Sequence, residues 1–571
     1  MNQTRTAYLQ QKRLLILPWL ITAAFGLILL RLFHLQIQSF YPLFQLSKRN
    51  YLRFEKIAPP RGNILDCHGT LIATNRPIIQ LAWTGSHNKK LSEEQIALLQ
   101  KLDTLFGKDF LNNPHLLKAE QQGKVLILTE DVPFEELSRV VELFPHHKNL
   151  TVQTTFKRFY PHQTMSCHIL GYLSGMSYEP SGEMGLEKIF DESLRGTPGQ
   201  MITTINSIGR QLRQQEIQRA FNGDNLYTTL DCHLYALAQD AFPADSSGSF
   251  IVMDARTGAL RVLLSQPTFD PNLFLQPLTP QQWQEMQENQ PFLNRALAGH
   301  YPPASLFKLI TIIAALEQRI ITEETTWHCS GSVEFCKRHY HCKNRTGHGT
   351  VDTQDALIHS CNVPFYEIGK KIKIDILAHY AHLFGLGEKT TALLPERSGL
   401  IPTSQWKRTT FGKPWWPGET LSAVIGQSYM LATPLQMCRM INAICEGKLV
   451  TPRILEHEPL ISEPLPISTK TLQFMRKSMQ QVVHHGTGQR LRNLKDFKIL
   501  GKTGTAQVRG LLKNMSNDAH DEHGWFAAQV QYKDHDPLVI VIIVEHSGSA
   551  IVAVDVAKKF LKSYASSADN T

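Results

Sequence analysis

Ser305 and Lys308 stand three residues apart in His300-Tyr-Pro-Pro-Ala-Ser305-Leu-Phe-Lys308, just ahead of the apolar positions Leu309, Ile310, Ile312, Ile313 and Leu316. On a helix, positions three apart share one face, with Cβ atoms about 5–6 Å from each other. Burial disfavours an ammonium ion and lowers a lysine pKa from about 10.4, so a desolvated Lys308 can accept the Ser305 proton near neutral pH. A hydroxyl with such a base beside it is a nucleophile. Backbone N–H groups at a helix start can also stabilise the negative charge that develops on an attacked carbonyl oxygen. The chemistry offered by this spacing is acyl transfer. The element that must position it follows from the prolines: Pro302 and Pro303 cannot sit inside a helix but favour a start directly after them. Ser305 is therefore expected in the first turn of a buried helix running on to Leu316.

Two further groups follow in the chain. Ser360-Cys361-Asn362 comes after the helical pattern Asp355-Ala-Leu-Ile-His, and Lys502-Thr503-Gly504-Thr505 comes after the apolar Ile499-Leu500. Ser-x-x-Lys, Ser-x-Asn and Lys-Thr-Gly in that order are the signature of penicillin-binding proteins and serine β-lactamases. On these residues the chain resembles the class B penicillin-binding proteins, of the penicillin-binding protein 2 type that serves cell elongation. Trp415-Trp-Pro-Gly418, Ile425-Gly-Gln427 and Thr433-Pro-Leu-Gln436 extend the resemblance, with Ser428 standing where glycine is more usual.

The elements around these motifs are mixed. Gly248–Asp254 and Ala259–Leu264, joined by Arg256-Thr-Gly258, read as a hairpin, and strand signals return only in Lys498–Gln507, Trp525–Tyr532 and Leu538–Glu545. Periodicity gives an α+β class. The resemblance implies more: a transpeptidase domain over 247–571 with an antiparallel sheet built from both ends of the domain and flanked by helices. The polar stretch Gly510–Gly524 reads either as a rim of the cleft or as a solvated turn.

Ahead of that domain, residues 1–13 carry Arg5, Lys12 and Arg13 and no acid, and Leu14–Leu30 carries no charge. A membrane anchor over 14–33 is expected, with Arg31 snorkelling and residues 1–13 as a cytoplasmic tail. A cleaved signal peptide is the alternative, but no small-x-small cleavage site follows the run. Residues 34–246 hold no catalytic constellation. Three stretches there resemble the family's non-catalytic, dimerisation-type pedestal: Pro60-Arg61-Gly62 through Asp66-Cys-His-Gly69, Arg158-Phe-Tyr-Pro161 with His168-Ile-Leu-Gly171, and Gly185-Leu-Glu187 with Leu194-Arg-Gly196. Their Gly, Asp and Asn residues mark tight turns. At Cys67 relatives usually carry arginine.

The chain has 59 basic and 50 acidic residues among 571, a balance of +9 spread along its length. With no arginine-rich block, nucleic acid is not an expected partner. Hydrophobic content of 42% and charged content of 19% are those of a folded protein.

The nine cysteines are an odd number, which excludes complete intramolecular pairing. Cys329, Cys342, His348 and Cys361 would together supply three thiolates and one imidazole, a tetrahedral zinc set. Disulfides, free buried thiols and a core role for His348 are the other readings. The resemblance adds that some elongation-type relatives hold a structural zinc with a ligand at the middle residue of Ser-x-Asn.

The reaction implied by the resemblance is D,D-transpeptidation of peptidoglycan through a Ser305 acyl-enzyme, with no cofactor required for catalysis. Lys308 would take and return the proton, while Ser360 and Asn362 relay it and hold the substrate amide. Lys502 would add positive charge. Thr503 and Thr505 would face the substrate carboxylate beside Gly504, and the N–H groups of Ser305 and Thr505 would form an oxyanion hole. Implied partners are stem peptides, β-lactams, a polytopic membrane glycosyltransferase and other elongation-complex proteins. The implied location is the bacterial inner membrane, with the catalytic domain in the periplasm. A membrane-anchored β-lactamase or D,D-carboxypeptidase, and a non-catalytic scaffold or sensor, are the competing functions.

Overall fold

The runs Phe250-Ile-Val-Met253 and Leu538-Val-Ile-Val-Ile-Ile-Val544 have no polar position at which a strand could face water, so a sheet made from them must be covered on both sides. The computed structural model has this arrangement. It describes residues 2–57, 59–86, 88–145, 147–174, 180–205, 211–390, 393–507 and 522–569. Five antiparallel strands, β1 (Gly248–Asp254), β2 (Leu260–Gln266), β3 (Phe497–Ala506), β4 (His523–Tyr532) and β5 (Leu538–Val544), lie in the order β2-β1-β5-β4-β3. Ile251, Met253, Val541 and Ile543 belong to the core on one face, while Phe250, Val252, Ile540 and Ile542 belong to the core on the other. The second face is covered by the helices Cys232–Ala241 and Ala550–Ala568. The first is covered by the helix Pro434–Glu446, and the helix Lys308–Glu317, buried from Lys308 to Ala315, lies in the same core. The sheet is closed from both ends of the domain, with Val252 opposite Ile540.

The chain forms two interleaved compact units, one of Met1–Pro60, Pro77–Lys157 and Gly196–Asn222, the other of Arg61–Arg76, Arg158–Arg195 and Gly223–Thr571. The first unit begins with the helix Asn2–Phe33 and a π turn, His34–Gln38. Within them Pro18–Gln38 is long and apolar enough to cross a membrane. Trp19, Phe25, Leu27 and Leu30 are exposed along it, as lipid contact requires. The same unit holds a three-stranded antiparallel sheet, Leu52–Ile57, Gly199–Ile205 and Gln211–Gln218. Its small separate core gathers Leu81, Trp83, Leu98, Leu99 and Leu102, and the Trp83 indole donates to Glu120 at 3.0 Å.

In the second unit the three pedestal stretches do more than turn the chain. Glu187, fully buried, accepts from Arg61 Nε at 2.7 Å, from Arg158 Nε at 2.7 Å and from the Tyr160 hydroxyl at 3.2 Å. Arg158 Nη1 donates on to the Gly62 carbonyl at 2.7 Å, and Arg61 Nη2 reaches Asp191 at 2.8 Å. One carboxylate thus joins all three. Cys67 itself brings no guanidinium, and its thiol lies half-buried beside Asp66, Asp231 and the Arg261 side chain.

Candidate active site

Ser305 does not open the long helix as expected. It sits in a separate 3-10 turn, Ala304–Leu306, and the α-helix begins at Lys308. The turn is closed by three-residue bonds, Leu306 N–H to Pro303 O at 3.2 Å and Phe307 N–H to Ala304 O at 2.9 Å, and Ala304, left-handed at φ +49°, stops it from extending backwards. That conformation is held from outside: the Ala304 N–H donates to the Gly426 carbonyl at 2.9 Å. Gly426 itself has φ +72°, and a Cβ there would lie 2.2 Å from the Ala304 carbonyl oxygen, so this position admits only glycine. On the other side the Trp525 indole donates to Pro302 O at 3.2 Å. The turn's third support is β3, the edge strand of the sheet, where a Cβ on Gly504 would meet Leu306 and Trp525 at 3.3–3.6 Å. Gly504 thereby lets the third motif lie directly beside the turn that carries Ser305.

The Lys308 amine is fully buried and points at the second motif. It donates to the Ser360 carbonyl at 2.8 Å and to Asn362 Oδ1 at 2.7 Å, and lies 3.2 Å from the Ser360 hydroxyl. Asn362 Nδ2 donates to His341 O at 3.1 Å, which fixes the amide so that its oxygen faces the lysine. Burial lowers the Lys308 amine to about 7, the Cys361 and Cys342 sulfurs partly opposing the fall. A neutral amine satisfies this geometry: two N–H bonds go to two carbonyl oxygens, and the lone pair is left for a hydroxyl proton. Phe365 closes the pocket, its ring 4.9 Å from the nitrogen.

Lys502 reaches the same hydroxyl from β3. Its buried amine donates to Ser360 Oγ at 3.2 Å and to Thr503 O at 3.1 Å. Burial, and then Lys308, hold it well below its ordinary value. Two amines bracket one serine hydroxyl, and their mutual repulsion in a desolvated pocket disfavours charge on both at once. Ser360 has φ +52° at this meeting point. Lys308, Ser360, Asn362 and Lys502 are thus brought into one hydrogen-bonded cluster. Ser305 and Thr505 are half-buried and Thr503 is buried.

Sequence reasoning missed Thr487, whose hydroxyl shares a 2.6 Å hydrogen bond with that of Thr503. The signal was present in Gly486-Thr-Gly488: a Cβ on Gly486 would lie 2.2 Å from Ile358 O, so this glycine turn packs against the helix leading into Ser360. Trp415 is held by its indole bond to Thr420 at 2.8 Å, whereas Trp416 is 58% exposed. Of the polar stretch Gly510–Gly524, residues 510–521 lie outside the described residues.

Cys329, Cys342, His348 and Cys361 converge next to this cluster, their donor atoms all within 4.8 Å of one another. Cys342 and Cys361 sulfurs are 3.8 Å apart, and His348 Nδ1 is 3.5 Å from Cys342 Sγ and 3.7 Å from Cys329 Sγ. A tetrahedron of sulfur and nitrogen around zinc has edges of about 3.5–3.8 Å, from metal–ligand bonds of about 2.0–2.3 Å. The donor set fits that ion. The Cys361 contact pulls the Cys342 thiol down and pushes the Cys361 thiol up, as when two sulfurs share one proton. The set is tied to the site through the Asn362 N–H, which donates to Cys342 Sγ at 3.4 Å.

Residues 248–562 match the family described as the penicillin binding protein transpeptidase domain, and residues 56–228 match the penicillin-binding protein dimerisation domain. The chain is similar to the peptidoglycan D,D-transpeptidase MrdA of Haemophilus influenzae, 27% identical with 94% of this chain and 89% of that protein covered. It is also similar to MrdA of Escherichia coli K12, 28% identical over 93% of this chain and 90% of that protein. Among solved structures it resembles penicillin-binding protein 2 of Helicobacter pylori in complex with MreC, with a TM-score of 0.76 and 28% identity over 89% of this chain and 98% of that one. A chain from a peptidoglycan synthase complex in which polymerisation and crosslinking are coordinated gives a TM-score of 0.74 and 29% identity, covering 97% of this chain and 98% of that one.

Proposed function

Because the chain belongs to the penicillin-binding protein transpeptidases, and within them to the class B, penicillin-binding protein 2 type, we propose that it cross-links peptidoglycan stem peptides as a D,D-transpeptidase of cell elongation. The observation that carries the reading is the meeting of three motifs, distant in sequence, at the Ser360 hydroxyl. In the reaction Ser305 Oγ attacks the penultimate D-Ala carbonyl carbon of a donor stem, and its proton passes to the neutral Lys308 amine. The C–N bond to the terminal D-Ala then breaks. The leaving nitrogen takes a proton from the Lys308 and Ser360 pair, and an acyl-enzyme remains. An acceptor amine attacks this ester, gives up a proton along the same route, and Ser305 is restored. Asn362 orients Lys308 and the substrate amide, Lys502 offsets negative charge, and the hydroxyls of Thr503 and Thr505 bind the substrate carboxylate beside Gly504. The N–H groups of Ser305 and Thr505 receive the oxyanion. β-Lactams acylate the same serine.

We take Cys329, Cys342, His348 and Cys361 to hold a structural zinc. Bound there, the ion would brace the loop that carries Ser360 and Asn362 and take no part in the chemistry, which needs no cofactor. The basic residues Arg5, Lys12 and Arg13 ahead of the apolar helix favour a single-pass anchor in the inner membrane with the catalytic unit in the periplasm. One solved relative is in complex with MreC and another belongs to a peptidoglycan synthase complex, and corresponding partners here are an elongation scaffold protein and a polytopic glycosyltransferase. Residues 34–246 serve as pedestal and 247–571 as transpeptidase.

The test is labelling with a fluorescent penicillin. Wild type is expected to take up a stable covalent label and Ser305→Ala none. A folded wild type that does not label would overturn the catalytic reading, and rapid release of the label would favour a β-lactamase.

A further inference from the structure

Away from the catalytic site, Cys67 Sγ, His68 Nε2 and a carboxylate oxygen of Asp231 lie within 4.8 Å of one another. They come from two segments that the fold locks together. Ile64–Leu65 pairs in parallel with Leu226–Tyr227, Thr228 N–H donates to Leu65 O at 2.9 Å, and Cys67 N–H donates to Leu230 O at 2.8 Å. Asp66 Oδ1 accepts from the N–H groups of His68 at 2.9 Å and Thr70 at 2.7 Å, closing a tight turn at Gly69, while its Oδ2 accepts from Cys232 N–H at 3.3 Å. Asp66 is therefore committed to holding the two segments in place. Asp231 divides its own work: Oδ1 caps the helix Cys232–Ala241 by accepting from Leu234 N–H at 2.9 Å, and Oδ2 faces His68 Nε2 at 3.3 Å.

We propose that Cys67, His68 and Asp231 form a second metal site, for a divalent transition-metal ion of the zinc class with its fourth position open to solvent. The 3.3 Å separation of imidazole nitrogen and carboxylate oxygen is the edge expected of two ligands around one ion at about 2.0–2.2 Å each. A mixed sulfur, nitrogen and oxygen set selects zinc, cobalt or nickel over magnesium and calcium, which take oxygen ligands. Exposure is one-sided: the His68 side chain is 68% exposed and that of Asp231 11%, so water can complete the shell. A bound ion would clamp the Asp66 turn to the start of the helix by metal–ligand bonds.

The full chain in detergent, stripped of metal with a chelator under reducing conditions, is titrated with Zn2+, and the tightly bound ion is counted by native mass spectrometry. The expected result is two equivalents for wild type and one for both His68→Gln and Cys67→Ser. His68 is exposed, so His68→Gln leaves the core intact, and penicillin labelling of each variant verifies its fold. A stoichiometry that neither substitution changes overturns the proposal. So does a Cys67–Cys232 disulfide found in the non-reduced protein as purified. If wild type binds one equivalent that His68→Gln removes, this site stands and the zinc assigned to Cys329, Cys342, His348 and Cys361 fails instead.

Discussion

At the scale of single residues, Lys308 sets the pH at which the site can work. Its amine is lowered to about 7 by burial, so below that pH it is an ammonium ion with no lone pair for the Ser305 proton, and above it the lone pair is free. The acylation rate with a chromogenic β-lactam should therefore rise as pH increases through about 7 and then level off. Asn362→Asp places a carboxylate 2.7 Å from the same nitrogen and favours its charged form. The rise should move to higher pH, with acylation at neutral pH slowed about tenfold or more, since one pKa unit is a factor of ten. A flat wild-type profile would remove Lys308 as the base. Ser428 offers a second case. Its φ of +72° is left-handed, which accounts for glycine being more usual there. Ser428→Gly should raise stability by about 0.5–1 kcal/mol in thermal unfolding. No change, or a loss, would mean that the serine relieves its own strain. The meeting of Lys308, Ser360, Asn362 and Lys502 was legible in sequence because residue types in a fixed order carry it. The direction in which Lys308 points was not, because a spacing of three places the amine beside Ser305 without saying that Asn362 and Ser360 will take its hydrogen bonds.

At the scale of elements, the five strands of the central sheet were readable, but the turns and the short strands Thr326–Cys329, Ser332–Phe335, Arg338–His341 and Gly349–Asp352, where no strand was expected, were not. Apolar runs announce β1 and β5 whatever surrounds them. The left-handed Ala304 just before Ser305 is held by Gly426, a contact between segments far apart in sequence. The buried Glu187 network was equally hidden, since Arg61 lies 126 residues from its partner. Each stretch alone reads as a turn, and only their convergence shows two guanidinium groups sharing one carboxylate, with Asp191 as a second anion beside Arg61. Glu187→Ala would leave both arginines buried without it. A loss of about 3–5 kcal/mol in denaturant unfolding is expected. A loss below about 1 kcal/mol would show that water replaces the carboxylate without difficulty.

At the scale of the whole molecule, the compact unit that holds the catalytic cluster also includes Arg61–Arg76 and Arg158–Arg195. Ile64, Ile169, Leu186 and Leu194 are fully or almost fully buried in the same continuous core as the Lys308 helix. A fragment of residues 247–571 would expose the surface these side chains cover, and it should aggregate or label poorly with penicillin. A fragment of residues 39–571, freed only of the apolar helix, should stay soluble and label like the full chain. Equal labelling of the two fragments would show that the catalytic unit folds without the earlier segments. The sheet has a further consequence, in time. β1 emerges from the ribosome long before β5, its neighbour, has been made, and Lys502 follows Ser305 by most of the domain. Contacts so distant in sequence form late. A chain in mid-synthesis carries the residues of the first two motifs and no means of using them. The enzyme is silent until its own making is nearly finished, and an antibiotic that depends on the finished site finds nothing to acylate before then.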